Sequence, residues 1–193
     1  MINTDVELKD EIIAENVCLG DKEAYGVLVD RYEGKLSRYI RRFTQVDDDA
    51  SDILQVIFIK AYTNLRGFDT SRSFNSWIYR IAHNECVNHL KKRSGERVSF
   101  IDFDTILPHL FADEESHTLA EKEETKKLLE ASLGAISSKY REILILYYYD
   151  DLSYEEIGEV LQIPTSTVGV RIKRGKEALH KTLVDKKYHH DRS

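Results

Sequence analysis

Between Asp151 and Leu179 the chain reads DLSYEEIGEVLQIPTSTVGVRIKRGKEAL, and no other stretch restricts the fold as much. Ser153 followed three residues later by Glu156 is a capping box, in which hydroxyl and carboxylate each satisfy an orphan amide at a helix start. Ile157 and Leu161 supply an inward face for that helix. Gln162-Ile163-Pro164 is expected to stop it, because proline pushes the residue before it out of helical geometry. Thr165 is a ready cap for a second helix. In that second helix Val168, Ile172 and Leu179 share one face, while Ser166, Thr167, Val170, Lys173 and Arg174 point away, with Arg171 on the flank. Short hydroxyls backed by Arg and Lys suit a recognition helix in a major groove, where bases are read and phosphates are gripped. The competing reading is a plain helical hairpin, in which Lys173, Lys176 and Lys181 serve phosphate contact or solubility alone.

Helical spacing also governs the first third. Tyr25, Leu28, Val29, Tyr32, Leu36, Ile40 and Phe43 form one apolar stripe, the pattern of a long amphipathic helix. Asp47-Asp48-Asp49 then suits a helix N-terminus electrostatically. Behind it Ala50, Ile53, Leu54, Ile57, Phe58, Ala61 and Leu65 mark a second helix ending near Gly67. After the polar loop Asp69-Thr70-Ser71-Arg72-Ser73, a third runs through Phe74, Trp77, Ile78, Ile81, Ala82 and Leu90 to Lys91-Lys92-Arg93. No strand-like alternation persists. The expected fold is all-α: a helical domain over 1–93, a flexible acidic linker over 94–132 and a second helical domain over 133–193. The linker holds Pro108, the cluster Asp113-Glu114-Glu115 and the apolar anchors Phe100, Phe103 and Leu107.

Charge is segregated along these pieces. The chain carries net charge −6, yet residues 31–93 hold 12 basic and 7 acidic side chains and residues 165–193 hold 8 and 3. Two basic stretches on an acidic chain fit separate nucleic-acid surfaces; ordinary solvated helix faces are the alternative. An acidic N-terminus lacks the basic start of a secretory signal, and no run reaches membrane-span length, so the chain is expected in the cytoplasm without membrane insertion. Cys18 and Cys86, without CxxC company, read as buried thiols. His83, Cys86 and His89 fan across about 120 degrees of one helix, which does not complete a zinc site. With no phosphate loop, nucleophile elbow or triad, no catalytic residue, metal or cofactor is expected, and the chain is not expected to be an enzyme.

The segment Asp52 to Arg93, DILQVIFIKAYTNLRGFDTSRSFNSWIYRIAHNECVNHLKKR, closely resembles conserved region two of the extracytoplasmic-function (ECF) group of bacterial RNA polymerase sigma factors. The C-terminal stretch resembles their region four. The resemblance covers roughly residues 20–93 and 133–184.

That resemblance implies a protein that binds core RNA polymerase, through the largest subunit's coiled coil and the flap, and directs promoter-specific initiation. An anti-sigma factor is the expected further partner, with release by envelope or other stress. Asp52, Ile53, Leu54, Gln55, Phe58 and Lys60 fall where the family docks on the coiled coil; Val56 replaces a common glutamate there. Arg72, Ser73, Asn75, Trp77, Arg80 and Asn84 match the element that reads the minus-ten promoter DNA and holds its separated strand, with Lys91, Lys92 and Arg93 on phosphate. Captured bases gain roughly 1 to 3 kcal/mol each by stacking, against an unstacking cost of a few kcal/mol. Trp77 also lies on the apolar stripe, so a core role competes with a base platform. Ser166, Thr167, Val170, Arg171, Lys173 and Arg174 are the expected minus-thirty-five contacts, although Gly169 and Val170 depart from the family's usual basic residue and serine. A stand-alone helix-turn-helix transcription regulator is the rival reading; it would bind an operator unaided.

Overall fold

The computed structural model describes residues 8–44, 46–94, 128–129 and 131–190. Its N-terminal half is built from α1 (Asp10–Cys18), α2 (Ala24–Ile40), α3 (Asp47–Asn64) with a 3-10 turn at Leu65–Gly67, and α4 (Phe74–Ser94). The C-terminal half has a helical segment at 131–135, then α5 (Ser138–Tyr148), α6 (Tyr154–Leu161) and α7 (Thr165–His190). All regular structure among the described residues is helical, the fold class read from the sequence. The linker landmarks Phe100, Phe103, Leu107, Pro108 and Asp113-Glu114-Glu115 lie outside the described residues. Helical backbone is already present at 128–129, and Ser132 is buried with its hydroxyl donating to the Leu128 carbonyl.

The α2 stripe buries Leu28, Tyr32, Leu36 and Ile40 as its spacing requires, and Phe43 is buried just beyond the helix end. In α3 the same logic buries Ala50, Ile53, Ile57 and Ala61 behind the three N-terminal aspartates. Aromatic rings knit the helices edge to face, Phe68 on Phe74 at 5.5 Å and Tyr39 on Tyr79 at 5.4 Å, the arrangement the ring quadrupoles favour.

Helix α1 was not expected from the sequence. It buries Ile13, Ala14 and Val17, and Ile13 alone contributes about 2 kcal/mol of apolar burial. Polar contacts fix it: Tyr32 donates to Asp10 at 2.6 Å, and Arg31 pairs with the same carboxylate at 2.5 Å. Burial, then the hydrogen bond to Asp10, pushes the Tyr32 phenol well above its ordinary range. Cys18 ends this helix and is exposed, which corrects its reading as a buried thiol; Cys86, in α4, is buried and its thiol is pushed up by desolvation.

In the C-terminal half Arg141 is fully buried. Its guanidinium donates to the carbonyls of Leu133 at 2.7 Å, Gly134 at 2.6 Å and Ile136 at 3.0 Å. These are carbonyls at and just past the end of the 131–135 helix, which lack intrahelical partners and favour a cation. Gly175 lets α7 lie close on α5, since a Cβ there would sit 3.2 Å from the Leu144 side chain.

The capping box of α6 is present in full: Ser153 accepts from the Glu156 amide, and the Ser153 amide donates to Glu156 at 2.9 Å. Its C-terminus falls where the sequence placed it, but the cause is different. The stop is Gln162, in the left-handed conformation at φ 53°, and the Ile163 amide turns back to the Gly158 carbonyl. This left-handed closure ends the helix two residues before Pro164. Gly158 permits it, because a Cβ there would meet the Ile163 oxygen at 3.0 Å. Thr165 is the first residue of α7 rather than its cap; the Pro164 carbonyl already accepts from the amides of Thr167 and Val168.

Candidate nucleic-acid interface

Three residue sets were expected from the sequence; the first two, on α3 and on the loop with α4, adjoin at a cavity that Lys60 shares with Trp77, Arg80 and Asn84, and the third lies on α7. On α3, Asp52, Gln55 and Lys60 are exposed, while Leu54 and Phe58 are half-buried against the core. Ile53 is buried, so it supports this face from beneath and offers no surface itself, a correction to its place among the docking residues. Val56, noted in the sequence where the family commonly has glutamate, is exposed on α3, and so are Ile59 and Tyr62, which the sequence reading passed over, as is Val27 on α2. Their spacing of three residues makes Val56, Ile59 and Tyr62 one stripe, and Tyr62 rests edge-on against Tyr25 at 5.0 Å. Apolar residues on both faces of α3 were the available signal.

The second set surrounds the loop between the 3-10 turn and α4. Asp69 organises it, accepting from the Ser71 amide at 3.0 Å and the Ser71 hydroxyl at 2.7 Å, which holds its carboxyl below the ordinary range. Phe68, Arg72, Trp77 and Arg80, with Glu159 and Gln162 from the other half, line a cavity of about 300 Å³. Trp77 is half-buried with its ring against Phe68 at 5.1 Å and Phe74 at 5.5 Å, an arrangement in which one edge serves the core and the rest faces the cavity. Asn84 and Arg80 are exposed and share a neighbouring cavity with Lys60 and Glu85, which are ion-paired at 2.6 Å. Lys91 and Lys92 are exposed at the end of α4; the Arg93 side chain lies outside the described residues.

The C-terminal half meets this loop directly, because α4 packs along α6. Glu156 accepts from the Ser73 hydroxyl at 2.7 Å and the Asn75 amide at 3.1 Å. Glu159 accepts from the Ser76 hydroxyl and pairs with Arg72 at 3.3 Å. Burial works against the charge of Glu156, but the hydrogen bonds from Ser153, Ser73 and Asn75 outweigh it and hold the carboxyl below 4.5. Deeper in the same contact Arg42 pairs with Asp150 at 2.5 Å, both side chains under a tenth exposed, and Tyr79 donates to Asp150 at 3.1 Å. Desolvation raises the Asp150 carboxyl against the pull of Arg42. His83 Nδ1 lies 3.2 Å from the Tyr39 hydroxyl and 3.1 Å from the Glu142 carboxylate, and His89 Nε2 lies 3.5 Å from Asp49. The sequence singled out Glu156 and Asp49 only for helix starts, and Glu142, Asp150 and Glu159 not at all; none of their long-range partners was foreseen.

The third set lies on α7. Val168 and Ile172 are buried and Leu179 half-buried on its inner face. Ser166, Val170, Lys173 and Arg174 are exposed on the outer face, with Thr167 and Arg171 half-buried beside them. Lys176 is drawn instead to the Tyr148 ring, 5.1 Å from its centroid. The surface presents hydroxyls at the helix start and three cations behind, a donor pattern that fits base edges and phosphates.

Known proteins resemble the chain over both halves. Residues 28–96 match the family Sigma-70 region 2, and residues 126–179 match Sigma-70, region 4. The ECF RNA polymerase sigma factor SigW of Bacillus subtilis is 35% identical over 175 residues, covering 86% of this chain and 92% of that protein. Among solved structures, CnrH in complex with the cytosolic domain of CnrY shares the fold at TM-score 0.65 and 24% identity, covering 91% of this chain and 97% of that one. The sigma factor RpoE of Bartonella quintana, solved with the anti-sigma factor NepR, aligns at TM-score 0.61 and 21% identity over 82% of this chain and 96% of its own.

Proposed function

This chain belongs to the extracytoplasmic-function RNA polymerase sigma factors, a family of transcription initiation factors, and from that premise we propose how its surfaces divide the work. The exposed face of α3 docks on the coiled coil of the largest subunit of core RNA polymerase, through Asp52, Gln55, Lys60 and the half-buried Leu54 and Phe58. Val56, where the family commonly has glutamate, makes that docking more apolar. Loop and α4 residues Arg72, Ser73, Asn75, Trp77, Arg80 and Asn84 read the minus-ten element and hold its unpaired strand, with Lys91, Lys92 and Arg93 on phosphate. Residues Ser166, Thr167, Val170, Arg171, Lys173 and Arg174 of α7 read the minus-thirty-five element in the major groove, with the C-terminal domain seated on the polymerase flap.

Base capture drives strand separation without ATP hydrolysis, so no catalytic group, metal or cofactor is required and the protein acts as a subunit rather than an enzyme. It works in the cytoplasm, and no helix among the described residues is long and apolar enough to cross a membrane. An anti-sigma factor controls it, by analogy with the RpoE relative solved with one. The observation that carries the reading is the pairing, in one chain, of the exposed α3 stripe with two basic surfaces, one at the loop before α4 and one on α7. Run-off transcription from a genomic promoter library, with purified core polymerase and this chain as the only sigma subunit, tests it. Discrete start sites support the reading; operator binding by the chain alone with no initiation makes it a regulator instead.

A further inference from the structure

We propose that Val170 is a specificity-determining residue: its branched side chain packs on the C5 methyl of a thymine in the minus-thirty-five element, so this chain selects that base by apolar contact. The inference rests on the reading of α7 given above and names the base feature that α7 takes there.

Val170 is 50% exposed on the outer face of α7. Ser166 lies one turn before it and Arg174 one turn after, each about 6 Å along the axis, with Lys173 alongside, and all three are exposed. The fold gains nothing from a branched aliphatic group in that place. Val168 and Ile172 already supply the buried inner face, and valine is a poorer helix former than alanine or a long polar residue. Nor does valine pair with a base. Set against an N–H donor or a carbonyl in the major groove, it would strip water from that group and leave it unsatisfied, which is unfavourable. Among the groups that the four base pairs show in that groove, the apolar one is the thymine C5 methyl. A half-exposed valine in the middle of a reading face therefore has one favourable partner. Its neighbours complete the contact: Ser166 and Arg174 carry donors for the thymine O4 beside the methyl or for the adjoining phosphate. Gly169 brings no side chain to the flank toward α6. A Cβ there would rest 3.5 Å from the Tyr154 ring, an ordinary contact, so packing does not demand glycine. Its effect is to leave Val170 clear of a bulky or charged neighbour on that side.

Holoenzyme assembled from purified core polymerase and this chain, used to select duplexes from a library randomised across the upstream element, identifies the preferred sequence. Replacing its thymines by uracil one at a time then removes single methyl groups and nothing else. Burial of one methyl is worth about fourfold in affinity, so one uracil position should weaken the parent holoenzyme by about that factor. Val170→Ser should lose the sensitivity to uracil and the preference for thymine at that position, while preferences elsewhere in the element persist. Because Val170 is exposed, an unchanged unfolding temperature should accompany the substitution and separate its effect from loss of fold. A uracil scan without effect at any position, or an equal loss in parent and Val170→Ser, overturns the inference while α7 still reads the element through its other residues. If the selected sequence is the same for the parent and for Val170→Ser/Arg174→Ala, the reading of α7 itself falls and the inference with it.

Discussion

Glu156 divides its carboxylate between two tasks, one oxygen accepting from the Ser153 amide at its own helix start and the other from Ser73 and Asn75 across the molecule. Its carboxyl is held below 4.5, so the native state favours the ionised form. The resulting stability is complete above the unfolded value and disappears as pH falls through the lower folded one. Glu156→Gln keeps an acceptor for the Ser153 amide but removes the charge, and should cost about 1 kcal/mol at pH 7, the margin of charge-assisted over neutral hydrogen bonds. That gap between parent and variant should close as pH drops below 4.5; urea unfolding at pH 7 and at pH 3.5 measures it, and a gap independent of pH would assign the contact no charge. Gly158 tests the helix stop. Alanine gains about 1 kcal/mol of helix propensity, but its Cβ would press on the Ile163 oxygen at 3.0 Å. Overpacking against backbone costs about 1 to 3 kcal/mol, so Gly158→Ala should lower stability by about 1 kcal/mol in thermal unfolding. A stabilised variant would mean the left-handed turn at Gln162 yields easily.

At the scale of elements, spacing made α2, α3, α4, α6 and α7 legible, because a buried stripe repeats every three or four residues whatever the partner helix is. Helix α1 escaped notice: nine residues, three of them acids, carry too little periodicity, and its position depends on Asp10 meeting Tyr32 and Arg31, 22 and 21 residues away in sequence. The stop of α6 at Gln162-Ile163-Pro164 was placed rightly but credited to the proline, since the left-handed turn at Gln162, a non-glycine, leaves little trace in sequence. Helix α7 carries the sharpest prediction at this scale. Arg174 is exposed on its outer face. Arg174→Ala should weaken binding of the holoenzyme to a duplex carrying the upstream element and reduce the salt slope by about one phosphate contact. Affinity for core polymerase should be unchanged; a loss there instead would reassign α7 to docking.

For the whole molecule, the sequence announced two helical units but not how the units meet. Asp150, Glu142, Glu156 and Glu159 look like solvated acids until Arg42, His83, Ser73 and Arg72 are brought opposite them, and that pairing spans roughly sixty to over a hundred positions of chain. Breaking the buried Arg42–Asp150 pair from one side should be expensive, about 3 to 5 kcal/mol. Asp150→Ala should therefore loosen the contact between halves, seen as faster hydrogen exchange along α4 and α6, while α2 and α3 keep their protection. Equal exchange in parent and variant would show that the halves are held by the remaining contacts of α4 with α6, those of Glu156 and Glu159 among them.

The central claim is that this chain works as a subunit of RNA polymerase, and its affinity for the purified core enzyme tests that most directly. Labelled full-length chain titrated with core polymerase should bind tightly and saturably, and Val56→Asp/Ile59→Asp, which places two charges on the exposed α3 stripe, should weaken binding at least tenfold without lowering the unfolding temperature. Undiminished binding by the variant would move the docking surface off α3, and absence of binding by the parent chain would contradict the claim itself.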